Sequence, residues 1–299
     1  MNHRFHSPRA VALLLGVLLS AVSARAQLGV ALSSARSRYL RYEPIELTVT
    51  LRNYSGNTLT FGKKGASRGY VFFLVESHAK RNVKQHKLDK NPADGLILNA
   101  GETKTLTVSL NDFFNMQNPG SYTVRTQAGH ARLDNDYQSE DVTFEVRDGQ
   151  TVLSRDIGLP GEEGSTKIEA LKVSLIVFQD MDRGIYCLRV EDDEMVYATI
   201  RLGRQIASSK PEMDADGGSD IHLLLQVSAR LYSYQVYSLA RKRVKLRQER
   251  YYIPDNGVPR LTRSPGYIKV VNGKAAVEGV DYKLDRKQAY RPKAAEAGQ

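Results

Sequence analysis

Side-chain character in this chain flips at almost every step, and that period of two constrains the fold more than any other feature. From Glu43 the sequence reads Glu-Pro-Ile-Glu-Leu-Thr-Val-Thr-Leu-Arg-Asn. The alternation puts Ile45, Leu47, Val49 and Leu51 on one face and Glu46, Thr48, Thr50 and Arg52 on the other. Leu106, Val108 and Leu110 alternate with Thr105, Thr107 and Ser109, and Val142, Phe144 and Val146 with Thr143, Glu145 and Arg147. No window of helical length carries an apolar stripe at i, i+3, i+4 and i+7, so the fold class is all-β. Tyr70 to Val75 is apolar on both faces, which predicts a strand central to its sheet or covered by loops on its outer side.

The first 26 residues have the zones of a secretory signal peptide: Arg4 and Arg9, then the apolar run Ala10 to Val22, then Ala24-Arg25-Ala26. Cleavage is expected near Ala26. The apolar run is shorter than the ~20 residues a spanning helix needs, and no cysteine follows the cleavage site. A periplasmic or secreted protein with no membrane span in its mature form is therefore expected. The net charge of +10 includes the three leader arginines, so the mature chain is basic without being extreme. Export makes nucleic acid a poor partner, and a protein or an anionic envelope polymer suits the charge better.

At about 100–200 residues per domain, the mature chain has room for two. The boundaries expected are 27–148 for the first domain, 149–167 for a Gly- and Pro-containing linker, 168–282 for a second all-β domain and 283–299 for a polar tail. Cys187 is the single cysteine, in the strand-like run Ile185 to Val190; a half-buried inert thiol is expected there, and no intrachain disulfide can form.

Three features of the first domain occur in a telling order. Glu43-Pro44-Ile45 leads into an alternating strand ending at Asn53, Ala100-Gly101-Glu102 opens a Thr-rich strand, and Pro119-Gly120-Ser121-Tyr122 opens a late strand where a tyrosine corner is often found. Over Leu28 to Arg147 the chain resembles a bacterial exported immunoglobulin-like β-sandwich domain. It lacks the buried Trp and the cysteine pair of antibody domains, so the likeness is to the architecture, which is shared by adhesins, chaperones, inhibitors and accessory modules. The second domain carries about seven strand-like runs and no family signature; a second β-sandwich or small barrel is expected.

The densest oxygen-ligand cluster is Pro211 to Asp220, where Asp214, Asp216 and Asp220 surround Gly217 and Gly218. Such a loop suits calcium, but its spacing departs from the EF-hand pattern, and Asp-Gly turns are common without metal. Glu191 to Glu194 and Asp180 to Asp182 read as further acidic turns, and three such turns at one end of a sheet would form an acidic rim. Basic residues gather in two places. Arg243, Lys245 and Arg247 alternate with Val244 and Leu246, with Arg241 and Lys242 extending the stripe; Lys63, Lys64, Arg68, Lys80, Arg81 and Lys84 form a loop cluster in the first domain. A basic stripe binds polyanions or guards an edge strand from aggregation. Sixteen tyrosines and no tryptophan supply strand filler and surfaces suited to protein recognition.

Catalytic signals are sparse. There is no His-Glu-x-x-His and no Gly-x-Ser-x-Gly, and only His78, His86, His130 and His222 follow the leader. His222 lies opposite Ile221 and Leu223, as a solvated or hydrogen-bonded strand histidine would. The expected function is a non-catalytic exported binding or scaffold protein that recognises another envelope or extracellular component, without a cofactor. The alternatives are a metal-dependent hydrolase with its site in the second domain and an immunoglobulin-like protease inhibitor.

Overall fold

A computed structural model describes residues 27–62, 69–79, 83–86, 90–160, 168–206, 208–240 and 243–283. The signal-peptide reading, Lys63, Lys64, Arg68, Lys80, Arg81, Arg241, Lys242, residues 161–167 of the expected linker and residues 284–299 of the tail lie outside them. The described chain is built from strands and one 3-10 turn, Leu110–Asp112.

The first half contains β1 (Leu28–Ser34), β2 (Arg38–Leu40), β3 (Glu46–Asn53), β4 (Leu59–Thr60), β5 (Gly69–Ser77), β6 (Ile97–Leu98), β7 (Thr103–Ser109), β8 (Gly120–His130), β9 (Tyr137–Gln138) and β10 (Val142–Arg147). They form a sheet of order β1-β3-β7 and a second of order β2-β10-β8-β5, with β2 parallel to β10. The alternation read from Glu43 is realised directly: Leu47, Val49 and Leu51 are fully buried, while Thr48 and Thr50 on the opposite face are half-buried and Arg52 is exposed. Those residues meet Val71, Tyr122, Val124, Phe144 and Val146 from the other sheet in one core. Tyr122 at the start of β8 donates its hydroxyl to the Asn118 carbonyl at 2.6 Å, closing the corner its sequence context predicts.

The strand from Tyr70 is not central. β5 ends its sheet, pairing only with β8 among the described strands. Its outer residues are apolar because Tyr70 and Phe72 stack on each other with ring centroids 5.7 Å apart. The Asn91 side chain covers one end of its edge, accepting from the Val71 amide at 3.1 Å and donating to the Gly69 carbonyl at 3.0 Å.

The second half contains β11 (Gln150–Pro160), β12 (Ile168–Asp180), β13 (Arg183–Glu191), β14 (Val196–Arg204), β15 (Glu212–Ala215), β16 (Ile221–Ser228), β17 (Leu231–Ser238), β18 (Lys245–Pro254), β19 (Arg260–Ser264), β20 (Tyr267–Val271) and β21 (Gly273–Ala275). The stretch expected to link two domains is, over Gln150–Pro160, a full strand paired antiparallel with β12. Its glycine and proline sit at the far end of that strand, where composition alone suggests a linker. The sheet β11-β12-β13-β14 packs on the sheet β15-β16-β17-β18-β21. Leu171, Val173, Leu175, Tyr186, Leu188 and Val190 of the first fill the space against Ile221, Leu223 and Leu225 of the second. The outer face of the second sheet is covered in turn: Leu224, Tyr234 and Val236 lie beneath Leu261 and Val270 of the β19–β20 hairpin.

The two halves are joined by polar and apolar contacts together. Leu40 packs with Ile176, Phe178 and Cys187, leaving the thiol fully buried, deeper than the half-burial expected. Burial holds that thiol well above its ordinary pKa, which keeps it protonated and unreactive. Beside it Glu43, 1 % exposed, accepts from Arg201 Nε at 2.6 Å, from Arg36 Nη1 at 3.3 Å and from the Leu40 amide at 2.9 Å. Arg201, itself 8 % exposed, also reaches Asp180 at 2.6 Å and the Arg38 carbonyl at 2.8 Å. Burial works against the Arg201 charge, but the carboxylates of Glu43 and Asp180 outweigh it and raise its pKa.

Removing one member of such a pair leaves the other charge buried, a change that costs about 3–5 kcal/mol. Glu43→Gln is therefore expected to lower stability to urea by about 3 kcal/mol, because Asp180 still partners Arg201; equal urea midpoints for parent and variant would contradict the assignment. A second expectation concerns His130, 4 % exposed, whose pKa is held below its ordinary value first by burial and further by the Arg132 charge. A depressed histidine pKa means the unfolded chain takes up the proton first, so stability is complete above about pH 6.5 and declines as pH falls through the folded value. Urea midpoints compared at pH 7 and pH 5 should differ less in His130→Gln than in the parent.

Candidate functional site

The Asp-rich segment forms the turn of the β15–β16 hairpin. Asp216 Oδ1 accepts the Gly218 amide at 2.9 Å and the Asp220 amide at 3.0 Å, the side-chain mimicry of a backbone turn that aspartate supplies. Ser219 takes a left-handed conformation, φ 65°, to complete it. The other oxygen, Asp216 Oδ2, lies 3.1 Å from His222 Nε2, and His222 Nδ1 lies 2.7 Å from the Tyr234 hydroxyl. With Nε2 donating to the carboxylate, Nδ1 accepts from the phenol. His222 is on the outer face of its strand, as its alternation predicts, but it is 6 % exposed because the β19–β20 hairpin covers that face.

Burial pushes the Asp216 carboxyl upward in pKa, yet the hydrogen bonds from His222 and the two amides prevail and hold it below the usual carboxylate range. Burial raises the Tyr234 phenol. The result is an ionised carboxylate, an imidazole and a neutral phenol in line.

The neighbouring aspartates point elsewhere. Asp214 pairs with Arg263 Nη2 at 2.7 Å and Arg155 Nη2 at 3.3 Å, while Asp220 pairs with Arg247 Nη1 at 3.0 Å. Each carboxylate of the calcium candidate has its own cationic or imidazole partner. No group of three or more His, Cys, Asp and Glu side chains is gathered for an ion among the described residues. What the structure brings together instead is the Asp-rich turn and the basic stripe, through Asp220 and Arg247.

A cleft of about 320 Å³ opens between Asp216 and Gly217 on the turn and the tip of the β19–β20 hairpin, residues 263–268. Arg263, Ser264 and Tyr267 line it, with Tyr267 53 % exposed. On and before β18, Arg243, Lys245, Arg247 and Arg250 are all exposed, and Leu246 joins them at the surface. The simple alternation expected over 243–247 is altered: the strand begins at Lys245, Val244 packs towards the core, and a register shift between Val236 and Tyr237 places Arg247 at an irregularity. β18 is paired on its outer side only at Tyr252–Pro254, by β21, so Lys245 to Arg250 has a neighbouring strand on one side among the described residues.

Lys84, the described member of the loop cluster, is exposed in the first half, its carbonyl accepting from the Asn115 amide at 2.8 Å. The expected acidic rim does not form. The β12–β13 turn at Asp180 and the β13–β14 turn at Asp192 are successive turns of an antiparallel meander, and such turns lie at opposite ends of a sheet. Asp192 instead caps its own turn, accepting from the amides of Glu194 and Met195 at 2.9 Å. Sequence reasoning missed the links from Asp216 to His222 and from His222 to Tyr234, because Tyr234 comes from a neighbouring strand and only sheet register aligns it. No family model, no curated protein and no solved structure matches the chain.

Asp216→Asn keeps the turn acceptor but removes the charge facing His222, and a loss of about 1–3 kcal/mol is expected. A carboxyl whose pKa is depressed by folding contributes stability above about pH 4, lost as pH falls through the folded value. Acid titration of the urea midpoint between pH 5 and pH 3 should therefore fall less steeply in Asp216→Asn than in the parent.

Proposed function

We propose that this protein is an exported, non-catalytic binding module that holds an anionic partner along β18 and the adjoining cleft. The observation that carries this reading is the run of exposed cations, Arg243, Lys245, Arg247 and Arg250, at and along β18, beside whose outer edge no strand pairs from Lys245 to Arg250 among the described residues. A cationic row raises the encounter rate with an acidic partner, and an open edge lets an extended chain add a strand beside it. The same charges oppose pairing between two copies of this edge. An acidic, extended protein segment is thus the partner of choice, with the exposed Leu246 of β18 and Tyr267 of the cleft offering apolar anchorage.

The first half fits the role of an immunoglobulin-like carrier. Its sheet orders β1-β3-β7 and β2-β10-β8-β5 and the Tyr122 corner support that architecture. The leader-like residues 1–26 support export to the periplasm or beyond. Covering the His222–Tyr234 pair beneath a hairpin favours a structural use of those groups over turnover.

The test is binding of a labelled poly-glutamate peptide to the mature chain by fluorescence anisotropy, at low and at high salt. Lys245→Glu combined with Arg250→Glu leaves the Asp220–Arg247 pair untouched and should weaken binding at least tenfold, and high salt should weaken the parent comparably. Unchanged affinity in the double variant would overturn the assignment. Binding to an anionic polysaccharide with equal strength would make the partner a polymer instead.

A further inference from the structure

We propose that Arg189, Arg41 and Thr199 form a binding site for a small oxyanion at the seam between the two halves. The register aligns Ser174 of β12, Arg189 of β13 and Thr199 of β14 in one row across the sheet. They share the face on which Cys187 and Arg201 meet the first half. Arg41 arrives from the first half, just after β2, and Arg189 Nη2 donates to its carbonyl at 2.6 Å.

Three of the four buried side-chain polar atoms that lack a hydrogen-bond partner among the described residues belong to this one place: Arg41 Nε, Arg189 Nε and Thr199 Oγ1. Buried polar atoms are nearly always satisfied, so such a concentration is a place that a bound oxyanion or ordered water would complete. Thr199 is only 6 % exposed and Ser174 2 %, the latter with its hydroxyl 3.5 Å from Ser154 Oγ. Arg189 has no ion pair among the described residues, unlike Arg201 two positions along the same seam, which has two.

Both guanidiniums lie over the Tyr42 ring, at 4.9 and 5.1 Å from its centroid, and Tyr42 holds a left-handed backbone, φ 69°, to be there. A non-glycine residue in that region costs about 1–3 kcal/mol unless its surroundings fix it. Burial, with the Arg41 charge adding to it, lowers the Arg189 pKa despite the opposing field of Glu191. Positive charge is therefore concentrated at the seam, and among the described residues Asp148, 3.3 Å from Arg41 and largely exposed, is the one carboxylate paired to these two arginines.

The chemistry selects the ligand class. Guanidinium N–H groups and serine and threonine hydroxyls all donate, which matches the acceptor-only oxygens of a phosphate, sulfate or carboxylate. A ligand held by Arg41 and Arg189 together touches both halves, so its binding stiffens the seam.

The experiment is thermal unfolding of the mature chain in phosphate, acetate or chloride at equal ionic strength. Phosphate or acetate should raise the midpoint saturably above chloride, by linkage to a bound state of the folded chain. A rise with both identifies a carboxylate-sized site, and a rise with phosphate alone a phosphoryl site. Thr199→Val keeps the β-branched shape and folds, so it should match the parent in chloride yet need at least fivefold more phosphate or acetate for half its effect. Arg189→Gln should abolish the increment. No rise beyond chloride in the parent, or the full rise retained in Thr199→Val, would overturn the site.

Discussion

The carboxylate of Glu43 is the point on which the two halves turn. It is almost completely buried, and three donors from two parts of the chain satisfy it: Arg36 and the Leu40 amide beside it, and Arg201 across the seam. A buried carboxylate is tolerable only when every lone pair has a donor, so the backbone around β2 and the end of β14 must meet in one geometry. Leu40 is carried by the same turn onto Ile176, Phe178 and Cys187, which dries the contact. The ion pairs give the seam its register and the apolar cluster beside them gives it area.

The second half shows how layering converts ordinary residues into a site. A sheet with one wet face would leave His222 and Tyr234 in water. The β19–β20 hairpin covers them, and the polar groups under it must then satisfy one another. Asp216 answers at the edge of that cover, where the cleft begins. Arg263 of the hairpin lines this opening and pairs with Asp214, while Arg247 of β18 pairs with Asp220 of the same turn. Charge on the two segments is complementary, and their closeness is a product of strand order.

The fold class was legible because burial follows the two-residue period: Leu47, Val49 and Leu51 are inside where the pattern puts them. The corner at Tyr122 was legible because a short local motif makes it, with its partner four residues upstream. Local composition misled where it stood for topology. Gly158 to Gly164 suggested a linker over 149–167, yet as far as Pro160 that stretch is a strand at the rim of a sheet, which accommodates Gly158 and Pro160. Tyr70 to Val75 suggested a strand either central or covered by loops on its outer side, and it is an edge strand whose outer rings stack on each other and whose edge carries Asn91. Asp214, Asp216 and Asp220 were recognisable as a cluster, but alternation and turn geometry send their carboxylates to different partners.

The sequence by itself determined that this chain forms sheets and which face of strands such as β3 and β10 is buried, because those depend on neighbours one to four residues apart. Only the tertiary structure decided that Glu43 meets Arg201, that His222 lies between Asp216 and Tyr234 under a hairpin, and that among the described residues β18 has one neighbouring strand from Lys245 to Arg250. Those depend on strand order and on which sheet covers which. Residues as far apart as Glu43 and Arg201 carry no local periodicity that could announce their contact.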